Sequence, residues 1–461
     1  MPSPTRHRNG LLLSLTGLFA LQLATPPPAL GAGAAGSGTA RPAVANPLAA
    51  EIDRRAAAVE GKLIEWRRHL HQNPELSGRE VETAKFVTAR LAAMGLEPRP
   101  IAGTGVVAVV SGKLPGATIA LRADMDALPV REEVDLPFAS RAAGTYEGKT
   151  VPVMHACGHD AHTAMLLAAA EVLAGLRDRL PGKVVLLFQP AEEGVPAAEG
   201  VAGAERMIAE GGLDDPKVDA VFGIHAFAGL ESGILGYRRG SMLAAGDRFE
   251  IQVQGRQAHG SKPWSGIDPI VAGSAIVTAL QTLVSRESDL THEPVVITVG
   301  QFDAGVRSNI IPDRARLVGT MRTFDEAMRT DLEKRMRRMV ERVAEGYGAT
   351  AKVTFEPGYP VTANDARLVD QFLPTLERVA PARVREVSKI TASEDFSLYA
   401  QRVPGVFLFL GITPPAGLAT PAGNHSPLFY VDESALPTGV RAYAQVAADY
   451  LFAHAKTKGK P

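Results

Sequence analysis

The residues with the greatest potential for chemistry are one cysteine, several histidines and a pair of adjacent glutamates. They are spread along the chain as Cys157 and His159, Glu192 and Glu193, His225, and His425. Thiolate and imidazole are soft or borderline donors, which favour zinc and its later first-row neighbours over calcium or magnesium. If these side chains meet in space, they form a site for divalent metal ions.

Taken singly, these residues have ordinary structural explanations. A lone histidine is more often a hydrogen-bonded structural residue, and Glu192-Glu193 alone would be a solvated acidic turn. In a cleft, however, two neighbouring carboxylates repel each other, and one takes up a proton unless a cation lies between them. A thiolate can bridge two ions, so these five ligands could hold either one ion or a pair about 3.5–4 Å apart. Zinc, manganese, cobalt and nickel all remain open.

A nucleophilic mechanism without metal is not favoured. The body of the chain contains no Gly-x-Ser-x-Gly nucleophile elbow. Cys157 and His159 lie only two residues apart, which does not provide the separate base and orienting group that a thiol nucleophile needs.

The elements that must position these residues are short, continuous apolar strands. Such runs are typical of strands that helices cover on both faces. The predicted strands before the candidate residues are Ala117–Leu121, Val184–Phe188, Ala220–Ile224 and Val406–Leu410. In open α/β sheets, ligands bind beyond the carboxyl ends of the strands. We therefore expect an α/β body with a mixed, largely parallel sheet covered by helices.

A change of pattern predicts an inserted domain. Phe249–Gln254 alternates apolar and polar residues, as in a half-exposed strand. The predicted order that follows is β-α-β-β-α-β, which is the ferredoxin-like α+β unit. We place the body, which carries the candidate metal ligands, at 48–242 and 358–456, interrupted by the inserted domain at 243–357.

The N-terminal segment has the pattern of a secretory signal peptide. Arg6-His7-Arg8 precedes an apolar run over 11–24 and then many small residues, which predicts a signal peptide at 1–34 and a flexible linker at 35–47. The apolar run is too short to span a membrane, and we expect no stable membrane anchor later in the chain. We expect an exported protein, periplasmic or secreted, in which metal binding would protect the single thiol.

Composition excludes several classes of protein. The chain has 461 residues, 46% hydrophobic and 21% charged, which is ordinary for a globular protein of two or three folding units. Lysine and arginine total 49 against 50 acidic residues, a net charge of −1. Nucleic-acid binders usually carry a basic excess, so we expect no nucleic-acid partner.

A series of motifs in fixed order resembles one enzyme family. The motifs are Leu121-Arg122-Ala123-Asp124-Met125-Asp126-Ala127-Leu128-Pro129, the stretch 154–162, Phe188-Gln189-Pro190-Ala191-Glu192-Glu193-Gly194, Gly223-Ile224-His225, Ser393-Glu394-Asp395-Phe396-Ser397 and Asn424-His425-Ser426-Pro427. Together they resemble the M20 metallopeptidase family, in its amidohydrolase branch of hippurate hydrolases, N-acyl-amino-acid amidohydrolases and auxin-conjugate hydrolases. The resemblance covers about 51–455.

The resemblance implies roles for the candidate residues in the body. It makes Cys157 the ligand that bridges two divalent ions in each subunit. It assigns the remaining metal ligands as His159, Glu193, His225 and His425. Glu192 matches the family's general base, and Asp126 matches a carboxylate that orients a ligand. His155, His162 and Glu394 lie in the same motifs and are interpreted as structural supports.

In the inserted domain, the resemblance implies a lid that commonly forms a homodimer. His259 matches a histidine that reaches the partner subunit's active site, while Asn309 and Arg322 match polar groups that hold the substrate. The sequence departs from the family pattern at Gly260-Ser261-Lys262-Pro263-Trp264 and at Arg307-Ser308. Both departures bear on substrate choice.

The predicted function is hydrolysis of the amide bond of small N-acyl amino acids by metal-activated water with a glutamate base. One alternative is a carboxypeptidase or dipeptidase of the same fold. Another is an exported metal-binding protein without catalysis, which would need neither Glu192 nor a lid. A dinuclear phosphoesterase is possible in principle, but no motif indicates phosphate recognition.

Overall fold

The computed structural model describes residues 46–196 and 199–455. The predicted signal peptide at 1–34 and the linker up to residue 45 lie outside the described residues. The helices are α1 (Ala49–Gln72), α2 (Val81–Ala93), α3 (His159–Ala174), α4 (Gly203–Ala209), α5 (Pro269–Glu287), α6 (Glu326–Gly346), α7 (Ala366–Val379), α8 (Phe396–Ala400) and α9 (Leu436–Ala453).

The strands fall into one large sheet, one four-stranded sheet and three small pairs. They are β1 (Arg99–Ile101), β2 (Gly105–Ser111), β3 (Leu114–Asp124), β4 (Ala143–Tyr146), β5 (Lys149–Pro152), β6 (Pro181–Gln189), β7 (Ala220–Glu231), β8 (Leu235–Tyr237), β9 (Gly240–Leu243), β10 (Ala245–Gln254), β11 (Ala258–His259), β12 (Val295–Ala304), β13 (Ile310–Ile311), β14 (Arg314–Thr323), β15 (Thr350–Glu356), β16 (Thr362–Asn364), β17 (Val384–Glu386) and β18 (Gly405–Thr413).

The large sheet has eight strands in the order β1-β2-β6-β3-β7-β18-β8-β17. Its centre is parallel, since β3 pairs in parallel with both β6 and β7, and β7 pairs in parallel with β18. The antiparallel pairs lie towards the edges, at β1–β2, β2–β6 and β18–β8. The predicted α/β fold with a mixed, largely parallel sheet is confirmed.

Both faces of the large sheet are buried, which explains the continuous apolar strands. Ile119 and Leu121 of β3 belong to the hydrophobic core that also contains α1, α3 and α9. Ala120, between them, faces the opposite core with residues of α4 and α8. Successive side chains of a strand point to opposite faces, so a strand covered twice has no polar face.

Small residues allow the covering helices to pack closely. Nearly every residue of α3 is buried, and α3 contacts α1, α9 and the sheet. At the contact with α9, a Cβ atom added to Gly439 would lie 2.1 Å from Met165 Sδ. The two helices could not approach this closely with a larger residue at position 439.

The segment 245–356 forms a second sheet with its own core. All its pairings are antiparallel, in the order β12-β14-β10-β15, and α5 and α6 supply the other buried residues. Along the chain the main elements run β10-α5-β12-β14-α6-β15, the predicted ferredoxin-like order. We call this segment the insert.

One helix of the described chain, α5, is long and apolar enough to cross a membrane by length and composition alone. The expectation that the chain has no stable membrane anchor stays a prediction. In the structure, Ala272, Ile276, Leu280 and Leu283 of α5 are buried in the core of the insert. That packing accounts for the apolar residues on this face of the helix.

Some boundaries differ from the sequence prediction. The strand predicted to end at Ile224 continues to Glu231, because β18 pairs with β7 over its length. His225 therefore lies within a strand, opposite Phe409, and not in the loop after it.

Candidate metal centre

The carboxylate of Asp126, just beyond the end of β3, joins the main parts of the candidate site. Its Oδ1 accepts hydrogen bonds from His159 Nδ1 and from the backbone N–H of Glu192, each at 3.1 Å. Its Oδ2 accepts from the backbone N–H of Glu193 at 3.0 Å and from Ser77 Oγ at 2.6 Å. Asp126 is 1% exposed, so one buried carboxylate fixes a histidine and the glutamate turn together.

Cys157 belongs to two groups of potential ligands. Donor atoms of Cys157, His159 and His225 lie within 4.8 Å of one another, with Cys157 Sγ 3.6 Å from His225 Nε2. Donor atoms of Cys157, Glu193 and His425 form a second such group. His425 Nε2 is 3.0 Å from Glu193 Oε1. The two groups overlap at the thiol, the arrangement that a bridging ligand requires.

Some donor atoms of the cluster lack hydrogen bonds within the protein, which indicates that they bind metal ions. His159 Nε2 is buried and has no hydrogen-bond partner within residues 46–196 and 199–455, and the contact of Glu193 Oε1 with His425 Nε2 lacks the angles of a hydrogen bond. An unpaired buried polar atom costs about 1–3 kcal/mol, so such atoms need an explanation. They lie 4.0 Å apart, as two ligands of one ion can.

The histidine rings present their Nε2 atoms to the cluster. Nδ1 of His225 donates to the carbonyl of Ala226 at 2.9 Å, and Nδ1 of His159 donates to Asp126. A neutral ring that donates through Nδ1 keeps a lone pair on Nε2 for a metal. Burial holds the pKa of His225 well below its usual value, so this ring is neutral near pH 7.

Unusual backbone conformations place several of these residues. Gly158, at the start of α3, has a φ of 91°, and a Cβ there would lie 2.9 Å from the Ala226 Cβ. Ala191 and His425 have φ values of 53° and 70°, although neither is a glycine. Such conformations cost about 1–3 kcal/mol and concentrate at functional sites.

Glu192 lies in a strongly acidic environment. Burial raises its pKa well above the ordinary value, and the negative charges of Glu394, Glu193 and Asp395 raise it further. Carboxylate oxygens of Glu192, Glu394 and Asp395 lie within 4.8 Å of one another. Nearby cations would favour the ionised form, which a general base requires.

A buried arginine forms ion pairs with three acidic residues next to the candidate site. Arg122 is 1% exposed, and its guanidinium donates to Asp124 at 2.6 Å, Glu394 at 2.8 Å and Asp395 at 2.7 Å. Sequence analysis did not assign Arg122 a role. The available signal was a charged residue within the apolar run of β3, because a buried charge requires partners.

His162 and Asn424 support the cluster through hydrogen bonds, whereas, among the residues described, His155 does not. Nδ1 of His162 lies 2.5 Å from Asp124 Oδ1, while its Nε2 accepts from the N–H of Ala226. The amide of Asn424 donates to the carbonyls of Cys157 and Ala226, a role that sequence analysis did not assign. His155 is buried, and neither ring nitrogen has a partner in the described part of the chain.

One hydrogen bond connects the exit from the insert to the glutamate turn. Tyr359 follows β15, and its hydroxyl donates to the backbone carbonyl of Glu192 at 2.9 Å. The carbonyl of Tyr359 accepts from the N–H of Gly246, near the start of β10. Tyr359 therefore contacts both chain connections of the insert and the turn that carries the predicted base.

The candidate residues of the insert lie apart from the metal cluster. His259 is exposed, and its Nδ1 accepts from the N–H of Ser261 at 3.1 Å. It lies beside Asn309, whose carbonyl accepts from the N–H of Gly260. Among the residues described, neither side chain bonds to a cluster member. Arg322 is closer to the body, since its Nε donates to the carbonyl of Thr391 at 3.2 Å. The predicted roles of these residues stay predictions.

Comparison with known proteins places this site in context. The model of peptidase family M20/M25/M40 matches residues 120–449. Thermostable carboxypeptidase 2 of Saccharolobus solfataricus is 39% identical over 407 residues, 87% of this chain and 99% of the relative. N-acyl-L-amino acid amidohydrolase of Geobacillus stearothermophilus is 44% identical over 315 residues, 68% of this chain and 81% of the relative.

A solved structure is similar over most of the chain. It is a dinuclear metal binding peptidase of the M20 family from Bacillus subtilis, at 35% identity with a TM-score of 0.71. The similarity covers 86% of this chain and 99% of the other.

The contacts of Asp126 predict its effect on metal binding. The two carboxylate oxygens of Asp126 accept hydrogen bonds from His159, Ser77 and the two glutamate N–H groups. In Asp126→Asn, an amide NH₂, which cannot accept, replaces one of these oxygens. We expect zinc affinity to fall about 10- to 100-fold, as when other orienting partners of metal ligands are lost. The measurement is competition with a chromogenic chelator. Asp370→Asn, on the surface, is the control and should retain the wild-type affinity. Equal affinities in the two variants would contradict the assigned role.

The pKa of Cys157 predicts that metal binding depends on pH. Burial, and then the charge of Glu193, raises the pKa of the metal-free thiol to about 12. The thiol is therefore protonated near neutral pH, and a metal ion must displace that proton. We expect zinc affinity to increase with pH. Calorimetric titration in buffers of different ionisation enthalpy should show proton release, reduced by about one proton in Cys157→Ser. Equal release by both proteins would refute this.

Proposed function

The chain belongs to peptidase family M20/M25/M40, in its amidohydrolase branch, and is a metal-dependent hydrolase; from that premise we propose that it hydrolyses the amide bond of N-acyl amino acids. The observation that carries this proposal is the position of Glu192 beside two ligand groups that share Cys157. A metal-binding protein without catalysis would not need a buried carboxylate there.

The relatives' activities support an amide substrate but differ in its form. One relative is an N-acyl-L-amino acid amidohydrolase, and another is an N-acetyl-L-cysteine deacetylase of Bacillus subtilis. A third is a carboxypeptidase, which makes short peptides the second candidate substrate class. Rates on N-acetyl, N-benzoyl and dipeptide forms of the same C-terminal amino acid separate the two classes.

Two divalent ions, held by Cys157, His159, Glu193, His225 and His425, would polarise the substrate carbonyl and lower the pKa of water. Glu192 accepts a proton from the attacking water, whose oxygen forms a bond to the carbonyl carbon. When the C–N bond breaks, Glu192 returns the proton to the amine nitrogen. One water is consumed, and a carboxylic acid and an amino acid are released.

The other residues of the chain hold the reacting groups. Asp126 keeps the turn of Glu192 in place through two backbone N–H groups. Arg122 offsets part of the charge of the acidic residues behind Glu192. Arg322 and Asn309 of the insert would bind the substrate's polar groups, and His259 would stabilise the oxyanion of the tetrahedral intermediate, a contribution of about 10²–10³ in rate for one donor.

The role of Glu192 predicts the result of an isosteric substitution. Glu192→Gln keeps the size of the side chain but removes the carboxylate that accepts the proton. We expect kcat for N-acetyl amino acids to fall by at least about 10²-fold, because general-base contributions are of that size.

Zinc content, measured on the same samples, is the control for this substitution, because Glu192 is not a proposed ligand. It should remain at the wild-type level. A Glu192→Gln protein with normal metal content and wild-type kcat would overturn the assignment.

We also propose a homodimer formed through the insert. Strand β12 lies at an edge of the four-stranded sheet, and on one side no other strand of the described residues pairs with it. Near it, Val271, Phe302 and Val306 are exposed apolar residues, 50%, 38% and 96% accessible. Exposed apolar residues beside an open sheet edge are typical of protein interfaces. In such a dimer, His259 would serve the partner subunit's site.

The proposed interface predicts that a charged residue introduced into it dissociates the dimer. Val271→Arg places a buried charge in the dimer, and light scattering should report the mass of a monomer. Val81→Arg, on α2 of the body, changes a residue of similar exposure and should leave the dimer intact. A dimeric Val271→Arg protein, or a monomeric wild type, would contradict the proposal.

Export to the periplasm or the medium belongs to the same proposal. Its support is the basic, apolar and small-residue order of the first 34 residues. An exported enzyme would meet N-acyl amino acids outside the cytoplasm and could release amino acids for uptake.

A further inference from the structure

A cleft of about 340 Å³ lies beside the metal cluster, in the body. Glu193 forms part of its wall, together with the apolar residues Leu76, Leu128, Pro129 and Tyr146. Binding clefts for small molecules have volumes of about 300–1,000 Å³, so this one is of a size for a modest substituent.

The walls of the cleft are held by the fold. Leu76 pairs through a backbone bridge with Ala127, the residue after Asp126. The β4–β5 hairpin supplies the outer wall, and it packs so closely that a Cβ at Gly144 would lie 2.9 Å from Leu76 Cδ1. Its tip turns at Glu147 and Gly148, both with positive φ, which is the two-residue turn that suits a tight hairpin.

The cleft borders the proposed metal site through Glu193 and Ser77. Glu193 lines the cleft and is also 3.0 Å from His425 in the ligand cluster. Ser77, another lining residue, donates to Asp126 at 2.6 Å. A substrate group bound in the cleft would therefore lie next to Glu193, one of the proposed ligands of the metal ions that would bind the scissile amide.

The charges of the cleft select between the two halves of the substrate. Its wall carries the carboxylates of Glu147, Glu193 and Glu199 against one cation, Arg79. Arg79 is already paired with Glu199 at 2.8 Å. The carboxylate of an amino acid would be repelled here, whereas a neutral apolar group would gain contact with Leu76, Leu128 and Tyr146.

We propose that this cleft binds the acyl group of the substrate and that it selects apolar acyl groups larger than acetyl, such as benzoyl or a medium-length chain. This inference rests on the proposed amidohydrolase function. The amino-acid half then lies on the side of the insert, where Arg322 supplies a positive charge.

The experiment compares acyl groups on one amino acid in the metal-loaded, full-length enzyme. Tyr146→Ala removes an apolar wall residue at the tip of the β4–β5 hairpin, where the side chain is 39% exposed. The value of kcat/KM for the N-benzoyl substrate should fall about tenfold, with that for N-acetyl unchanged. Leu128→Trp, which fills the cleft, should also lower the benzoyl rate selectively. Tyr347→Ala, at a tyrosine of the insert that is 50% exposed, is the control and should change neither rate.

Two results would overturn the assignment of the cleft. One is an equal loss for both acyl groups, and the other is a changed preference for the amino acid at a fixed acyl group. Failure of the function itself gives a different result, because the wild-type enzyme would then hydrolyse dipeptides and none of the N-acyl amino acids.

Discussion

The carboxylate of Asp126 is the constraint on which the site depends. Its two oxygens accept four hydrogen bonds, from a histidine ring, a serine hydroxyl and two consecutive backbone N–H groups. Asp126 follows the central strand β3, so the sheet sets its position. Its hydrogen bonds then fix groups of three other segments, namely Ser77, His159 and the backbone of Glu192-Glu193. A metal cluster assembled from distant parts of the chain needs such a common reference, since ligand geometry tolerates little error.

The arrangement has an electrostatic requirement as well. Carboxylates are concentrated behind and beside Glu192, and one guanidinium, that of Arg122, contacts three of the acidic side chains. Burying so many like charges is costly unless cations compensate for them. The same excess of negative charge that destabilises the metal-free site provides the attraction for divalent ions. Stability and metal affinity are thus linked through one set of residues.

The sequence predicted those parts of the molecule that follow from repeated local patterns. The body strands were readable because both faces of the sheet are buried, and the insert was readable because its strands alternate. The β4–β5 hairpin was missed because it is short and partly exposed. Helix α7 was missed although its buried residues recur at helical spacing, because Pro374 lies inside it and proline normally ends a helix. The contacts of Arg122 with Glu394, and of Tyr359 with Glu192, join segments far apart in the chain. Local spacing contains no information about such pairs.

The hydroxyl of Tyr359 has a consequence for motion. The residue lies where the chain leaves the insert, and it is bonded to the turn that carries Glu192. A rotation of the insert about its two connections would pull on that carbonyl or release it, so the orientation of the carboxylate would change with the angle between the domains. The same rotation of the insert that encloses the substrate would then also orient the carboxylate of Glu192 for proton transfer.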